Sequence, residues 1–449
     1  MGKSTILDGN SFQPGSGADL TEQDAQLIAR RTRVLGPSYR LFYDRPVHLV
    51  RGADTRVWDA EGNEYLDAYN NVPSVGHANP RVAAAVHEQM RRLNTHSRYL
   101  QDGIVDYAER LVATMPDEVS QVMFTNSGSE SNDLALRMAE HATGGTGVVV
   151  TSEAYHGTTD IVAKASPAMG SDFALGAHVE TVPAPDAYRA GGGEGLGRHF
   201  AEQLTAAFDR LRARGVAPSA FLVDTIMASD GVLSDPAVLG PALEATHRAG
   251  ALLIADEVQP GFARTGDRLW GFARHGIVPD LVSMGKPMGN GFPVAALAGR
   301  PELFGPFGRD IAYFNTFGGS SAAVAAAAAV LDEIQERELH LNSERLGAAI
   351  RADIRTLMDR HSCVGDVRGA GLFIGVEIVR DRGTREPDPA MAHDLINAMR
   401  DLHVLISVAG PDNSVLKIRP MLTYTRADAD RLVETLDLAL TRCGRALQA

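Results

Sequence analysis

Cysteine is nearly absent from this 449-residue sequence. Cys363 and Cys443 are the only two, too few for a disulfide framework or a cysteine-rich metal site. Lysine is almost as scarce: of 43 basic residues only Lys3, Lys164, Lys286 and Lys417 are lysines, and the other 39 are arginines. Codon bias explains the imbalance, and it narrows the search for any chemistry that needs a primary amine. No basic stripe suited to nucleic acid is present, and 56 acidic residues leave a net charge of −13. In so acidic a chain an anionic substrate needs a local basic pocket. No apolar run reaches the roughly 18 residues needed to span a bilayer. The start, MGKSTILDGNSF, lacks the basic-then-apolar order of a signal peptide. Its MGKSTI spacing matches a myristoylation signal, a short pattern that chance explains. These absences point to a soluble cytoplasmic protein with no nucleic-acid or membrane partner.

What is present is a globular composition, 44% hydrophobic and 22% charged, on a chain long enough for two domains, or for one large α/β domain with a smaller companion. After a polar start with a helix-like patch at Thr21–Arg33, short strands are expected at Val47–Val50, Thr55–Asp59 and Tyr65–Asp67. Seven brief apolar runs then alternate with helical stretches: Val122–Thr125, Gly147–Thr151, Val179–Pro183, Phe221–Asp224, Leu252–Asp256, Leu281–Met284 and Val294–Ala298. Runs that are apolar on both faces and separated by helices predict a largely parallel sheet covered on both sides. Beyond about residue 330 the texture becomes α+β. A long helical stretch at Leu331–Asp359 precedes strands at Gly371–Val379, Val404–Val408 and Val415–Arg419, and a last helix runs near Ala427–Leu447. The expected division is an N-terminal segment 1–55 joining the small domain, a large domain 56–330 and a small domain 331–449.

Three places carry chemistry. In Phe124–Arg137 (FTNSGSESNDLALR) a strand ends, Ser127, Gly128 and Ser129 turn, and a helix starts. Free N–H groups at the positive end of a helix make a phosphate site, although a serine there also serves as an ordinary N-cap. In Leu252–Gly266 (LLIADEVQPGFARTG) Asp256 ends a buried strand, where open α/β sheets bind ligands. With Glu257 it could ligate metal, act as a general base, partner a cationic ring nitrogen or cap a helix. No histidine at ligand spacing accompanies the pair, so no metal is expected. In Ser283–Gly291 (SMGKPMGNG) Lys286 follows an apolar strand in a glycine-rich loop, where burial would lower its basicity and free its lone pair. A phosphate, a basic ring nitrogen and an aldehyde would satisfy the three places together, and pyridoxal phosphate has all three. Ser127–Ser129 would take the phosphate, Asp256 the pyridine nitrogen and Lys286 the aldehyde as a Schiff base. Tyr155, in SEAYHG, offers a flat face to the ring.

NSGSESNDLALR, EAYHG, IADEVQPGFARTG, MGKPMGNGFPVAALAG and NTFGGS occur in an order and spacing by which the chain, from Arg51 to Leu447, resembles the class III (ω-) aminotransferases of the fold-type I pyridoxal-phosphate enzymes. The resemblance implies a large domain with a seven-stranded, mostly parallel sheet and a smaller α+β domain. It implies Val258 under the ring, Gln259 near the phenolic oxygen, and Thr316 reaching the cofactor phosphate of a neighbouring subunit. The last of these makes a homodimer with active sites at its interface.

Within the family, Asn70–Pro80, Leu93–Leu111, MGKPMGNG and Val364–Val379 are most similar to the ethanolamine-phosphate phospho-lyases. That branch implies elimination of phosphate from phosphoethanolamine or a related phosphorylated amino alcohol; an ω-aminotransferase is the alternative. For the substrate phosphate the candidates are Arg98, Lys417 and Arg419, with Asn70, Tyr99 and Asp224 also on the substrate side. The sequence departs from the family at Phe221–Asp230 (FLVDTIMASD), with Asp224 at a glutamate position and Met227 at a glutamine position, and at Lys417–Met421 (KIRPM), where a double proline is common. A nicotinamide dehydrogenase is disfavoured because Gly369–Gly375 lacks GxGxxG spacing. A non-catalytic protein of this fold would be expected to lack Lys286.

Overall fold

The structure, a computed structural model, describes residue 5 and residues 8–15, 20–266 and 268–446; Lys3 and most of the MGKSTI start lie outside them. All seven apolar runs form strands of one sheet. Its spatial order is Gln121–Thr125, Ala295–Gly299, Leu281–Met284, Leu252–Asp256, Pro218–Asp224, Gly147–Thr151 and Val179–Val182. Side chains alternate between two apolar layers. Val148, Val150, Leu222 and Ile254 pack with Leu134 and Met138 of the helix Gly128–Thr143. Val149, Phe221, Val223 and Leu253 face the opposite layer with Phe200, Leu204 and Phe208 of the helix Glu194–Ala213. Both faces are dry, which is why these strands read as continuous apolar runs.

One strand breaks the parallel pattern. Ala295–Gly299 runs antiparallel between Gln121–Thr125 and Leu281–Met284. The loop 285–294 before it is shorter than the dozen or more residues that a parallel crossover needs, so the chain turns back on itself.

The second half departs from expectation in three places. The stretch Leu331–Asp359 is two helices, Ser321–Glu336 and Leu339–Leu357, separated at Glu338, whose φ of 51° ends helical pairing. Val404–Val408 divides between sheets: Val404–Leu405 pairs parallel with Glu64–Asp67, while Ser407–Ala409 pairs with Val415–Ile418. Val364–Ala370 is an additional strand, paired with Phe373–Asp381. The early strands Leu49–Ala53, Arg56–Asp59 and Glu64–Asp67 thus share a sheet with Val404–Leu405, tying the chain's first part to its last. We propose that the small domain begins along the helix Ser321–Glu336, which contains Val330. Among the described residues no helix is long and apolar enough to cross a membrane.

Candidate active site

A cavity of about 300 Å³ opens at the carboxyl ends of the parallel strands, lined among others by Ser127, Gly128, Ser129, Tyr155, Asp256 and Lys286. The helix Gly128–Thr143 points its first turn into it. Ser127 is the N-cap: its Oγ accepts the Glu130 N–H at 3.2 Å, and its carbonyl accepts the Ser131 N–H. The cap therefore uses the serine hydroxyl and leaves the Gly128 and Ser129 N–H groups for a ligand at the positive helix end. The walls allow no added bulk here. A Cβ on Gly128 would come 2.8 Å from the Val258 methyls. One on Gly157, whose φ is +142°, would come 2.4 Å from Ser129 Oγ.

Asp256 is buried at the end of its strand. Oδ2 meets His156 Nδ1 at 2.7 Å and accepts from Asn132 Nδ2 at 2.9 Å, while Oδ1 accepts the Val258 N–H at 3.0 Å. Its neighbour Glu257 points the other way. There Thr225 Oγ1 and the Gly271 and Phe272 N–H groups bind it, and burial pushes its carboxyl up to about 7. Of the DE pair only Asp256 serves the cavity. His156 and Asn132, which orient it, were not singled out from sequence although both lie inside the motifs quoted; a histidine in a turn and an asparagine near a helix start have no spacing signature.

Lys286 enters from the loop 285–294. This loop is held by Asn290, which accepts the Val75 N–H at 3.0 Å and donates to the Gly76 carbonyl at 2.8 Å. Burial lowers the lysine's pKa; the nearby Asp256 and Asp224 oppose that shift and Arg419 adds to it. An amine so placed has more of its lone pair available at neutral pH. Tyr155, Val258, Gln259 and Asp224 line the same cavity. The Asp224 carboxylate is held by the Ile226 and Ala228 N–H groups at 2.9 and 3.1 Å, and burial, then Asp256, raise it to about 6. Met227 lines a neighbouring cavity with Arg368 and Glu377. Arg419 is buried, donates to Gln259 Oε1, and lies 4.6 Å from the Tyr69 ring centre. Lys417 is buried two residues away.

Six expected residues do not line the cavity: Asn70, Arg98, Tyr99, Thr316, Lys417 and Arg419. Asn70 is tied to Asp67, its Nδ2 donating to Oδ2 at 2.7 Å. Arg98, Tyr99 and Thr316 are exposed. Arg98 lies 5.5 Å from the Phe314 ring centre, and His96 stacks on Tyr99, so these segments form a separate aromatic surface. Asn315, beside Thr316, accepts from Asn126 Nδ2 at 2.9 Å and so anchors that surface next to the Ser127 turn.

The residues fit a group carrying a phosphate, a ring nitrogen and an aldehyde: a glycine-walled helix N-terminus, a fixed carboxylate and a desolvated amine converge on one cavity. Comparison with known proteins agrees. The family model described as aminotransferase class-III matches residues 42–440. A Drosophila melanogaster protein described as alanine–glyoxylate aminotransferase 2-like is 38% identical over 91% of this chain and 85% of its own length. Ethanolamine-phosphate phospho-lyase homolog 1 of Caenorhabditis elegans is 34% identical over 94% of each chain. A phospholyase from Arthrobacter, solved in complex with phosphoethanolamine, superposes with a TM-score of 0.89 at 42% identity, covering 92% of this chain and 99% of that one.

Proposed function

The chain belongs to the class-III aminotransferase family, and from that premise we propose that it is a phospho-lyase releasing phosphate from O-phosphoethanolamine, or a related phosphorylated amino alcohol, with aldehyde and ammonia as the other products. Its fold is that of the fold-type I enzymes and its cofactor is pyridoxal 5′-phosphate. When bound, the cofactor supplies an aldehyde that captures an amine and a ring that withdraws electrons from the carbon beside it.

The protein's own groups do the rest. Gly128 and Ser129 would hold the cofactor phosphate, Tyr155 and Val258 would confine the ring, and Gln259 would serve its phenolic oxygen. Asp256, oriented by His156 and Asn132, holds a proton at the ring nitrogen. Lys286 would hold the aldehyde end of the cofactor, and its amine would take the proton from the substrate carbon bearing nitrogen. Lys417 and Arg419 are the cations for the substrate phosphate, with Asp224 shaping that side; Asn70, Arg98 and Tyr99 stand outside the cavity of their own chain.

The active unit is a homodimer. Leu93, Tyr99, Leu100, Phe314 and Phe317 are exposed, an apolar patch of the kind that marks an interface. The helix Glu22–Leu35 buries no side chain within its own chain. In such a dimer Thr316 meets the neighbouring subunit's cofactor.

The observation that carries the reading is the half-buried Lys286 amine converging with the fixed Asp256 carboxylate on one cavity. Its phospho-lyase branch is supported by the 42% identity to the Arthrobacter phospholyase. The test is incubation of pure holoenzyme with phosphoethanolamine and no keto acid. Phosphate release over many turnovers is the expected result, and a single stoichiometric half-reaction would overturn it. A second reading, an aminotransferase passing the amino group to a keto acid, is favoured by the likeness to the Drosophila relative.

A further inference from the structure

Arg419 commits one edge of its guanidinium to an uncharged partner. The residue is 6% exposed and makes no ion pair among the described residues. The two carboxylates that act on it are held by other donors. Asp67 meets His77 Nε2 at 2.8 Å and Asn70 Nδ2 at 2.7 Å, and Asp224 takes the Ile226 and Ala228 N–H groups. Arg419 Nη1 donates instead to Gln259 Oε1. Both partners are fixed by their backbones. The Arg419 N–H donates to the Ala68 carbonyl at 2.7 Å, and the next carbonyl, of Pro420, accepts from Arg264 Nη1. The Gln259 carbonyl accepts Asn71 Nδ2 at 3.1 Å. A guanidinium donates and never accepts, so the end of the amide that meets it is the oxygen. Gln259 lines the cavity of Lys286 and Asp256. Its Nε2 donates to none of the described residues, and that is the end left for a ligand in the cavity.

We propose that Arg419 is a positioning residue for the cofactor: by holding Gln259 Oε1 it presents Gln259 Nε2 as a donor to the phenolic oxygen and favours the deprotonated form of that oxygen. The inference rests on Gln259 serving the phenolic oxygen and not on the lyase branch of the proposed function. An amide with no fixed neighbour can turn over and offer its oxygen, which favours the protonated phenol. Beside a donor-only side chain, one orientation alone avoids setting donor against donor. The cation also polarises the amide, which strengthens the second hydrogen bond of the chain. Arg419 thus acts on the resting holoenzyme, before any substrate arrives. The other titratable groups on the cavity are Lys286, Asp256, Asp224, His156 and Tyr155. Those facing Arg419 from its surroundings include Asp67, Tyr69, Arg264 and Lys417. All of them stay in place in the variants compared below.

The test is a pH titration of the cofactor absorbance in resting holoenzyme with no substrate, the same absorbance checking that each variant is loaded. Gln259→Leu should raise the midpoint by about 1–2 units, the worth of one hydrogen bond to a charged oxygen. Arg419→Met should raise it by about 1 unit, and by less than about half of that once residue 259 carries the Gln259→Leu change, because the two act as one chain. An Arg419→Met shift of equal size in both backgrounds means that its charge acts alone, and overturns the proposal. A shift for Gln259→Leu with none for Arg419→Met overturns it too. Gln259→Leu without any shift overturns the placement of the phenolic oxygen, and the inference with it. Should the Met variant fail to fold, a crystal structure of the parent holoenzyme decides: Arg419 hydrogen-bonded to the end of the Gln259 amide opposite the phenolic oxygen is expected, and Arg419 turned away from Gln259 overturns the proposal. None of these readouts needs turnover, so the lyase assay can fail without touching them.

Discussion

His156 Nδ1 sits 2.7 Å from Asp256 Oδ2, and its Nε2 is buried with no partner of its own. The imidazole therefore has one hydrogen bond, and that bond fixes the carboxylate's direction. Hydrogen bonds to charged groups contribute about 1.5–3 kcal/mol. His156→Phe should lower kcat about 10- to 100-fold while absorbance shows the cofactor still bound. Unchanged kcat would show that Asn132 and the Val258 N–H suffice.

Lys286→Ala should remove the amine that holds the cofactor and moves the proton. Activity should fall by about 100-fold or more, and borohydride should leave no cofactor mass on the peptide that contains residue 286. Cofactor fixed by borohydride to another lysine would overturn the assignment.

Gly157→Ala places a methyl against Ser129 Oγ and forces a positive φ on a residue with a side chain. The strain should cost about 1–3 kcal/mol. Cofactor affinity should fall with stability, because Ser129 opens the helix that meets the phosphate. A lower Tm with unaltered cofactor affinity would separate the two.

Asp230 gives a pH-dependent test. Burial is the main cause that raises its carboxyl from the usual value near 4 to about 7, with Asp224 and Glu153 adding repulsion. Across that interval the folded state binds more protons than the unfolded state. The group's contribution to stability is therefore full at low pH and lost as pH climbs towards about 7. Asp230→Asn keeps an acceptor for the Glu153 N–H, with its Nδ2 donating to Thr151 Oγ1, and removes the charge. The Tm of the variant minus that of the parent should rise between about pH 5 and pH 8, by about 2 °C per kcal/mol in a large chain. A difference that stays flat with pH would count against the raised value.

Much of this was readable beforehand. The strand runs were legible because both their faces are dry, and Asp256 and Lys286 because the one ends and the other closely follows such a strand. Strand direction was not: Ala295–Gly299 has the same apolar texture as its parallel neighbours, and only the short loop before it dictates reversal. The break at Glu338 was hidden because glutamate gives no warning of a positive φ. Arg98, Tyr99 and Thr316 could be assigned to function but not to a place, since a sequence does not say whether a residue faces its own chain's cavity or stands outside it. His156 was in plain view in EAYHG, yet its meaning depends on Asp256, a hundred positions later, folding against it.

The reversal before Ala295–Gly299 has a mechanical consequence. Lys286 is carried on the connection of a hairpin whose two arms, Leu281–Met284 and Ala295–Gly299, are hydrogen-bonded to each other inside the sheet. Its amine is thus registered against the sheet interior at both ends, and for it to drift from Asp256 the middle of the sheet has to unzip. Heating should loosen the outer helices and the aromatic surface well before it misaligns these two groups.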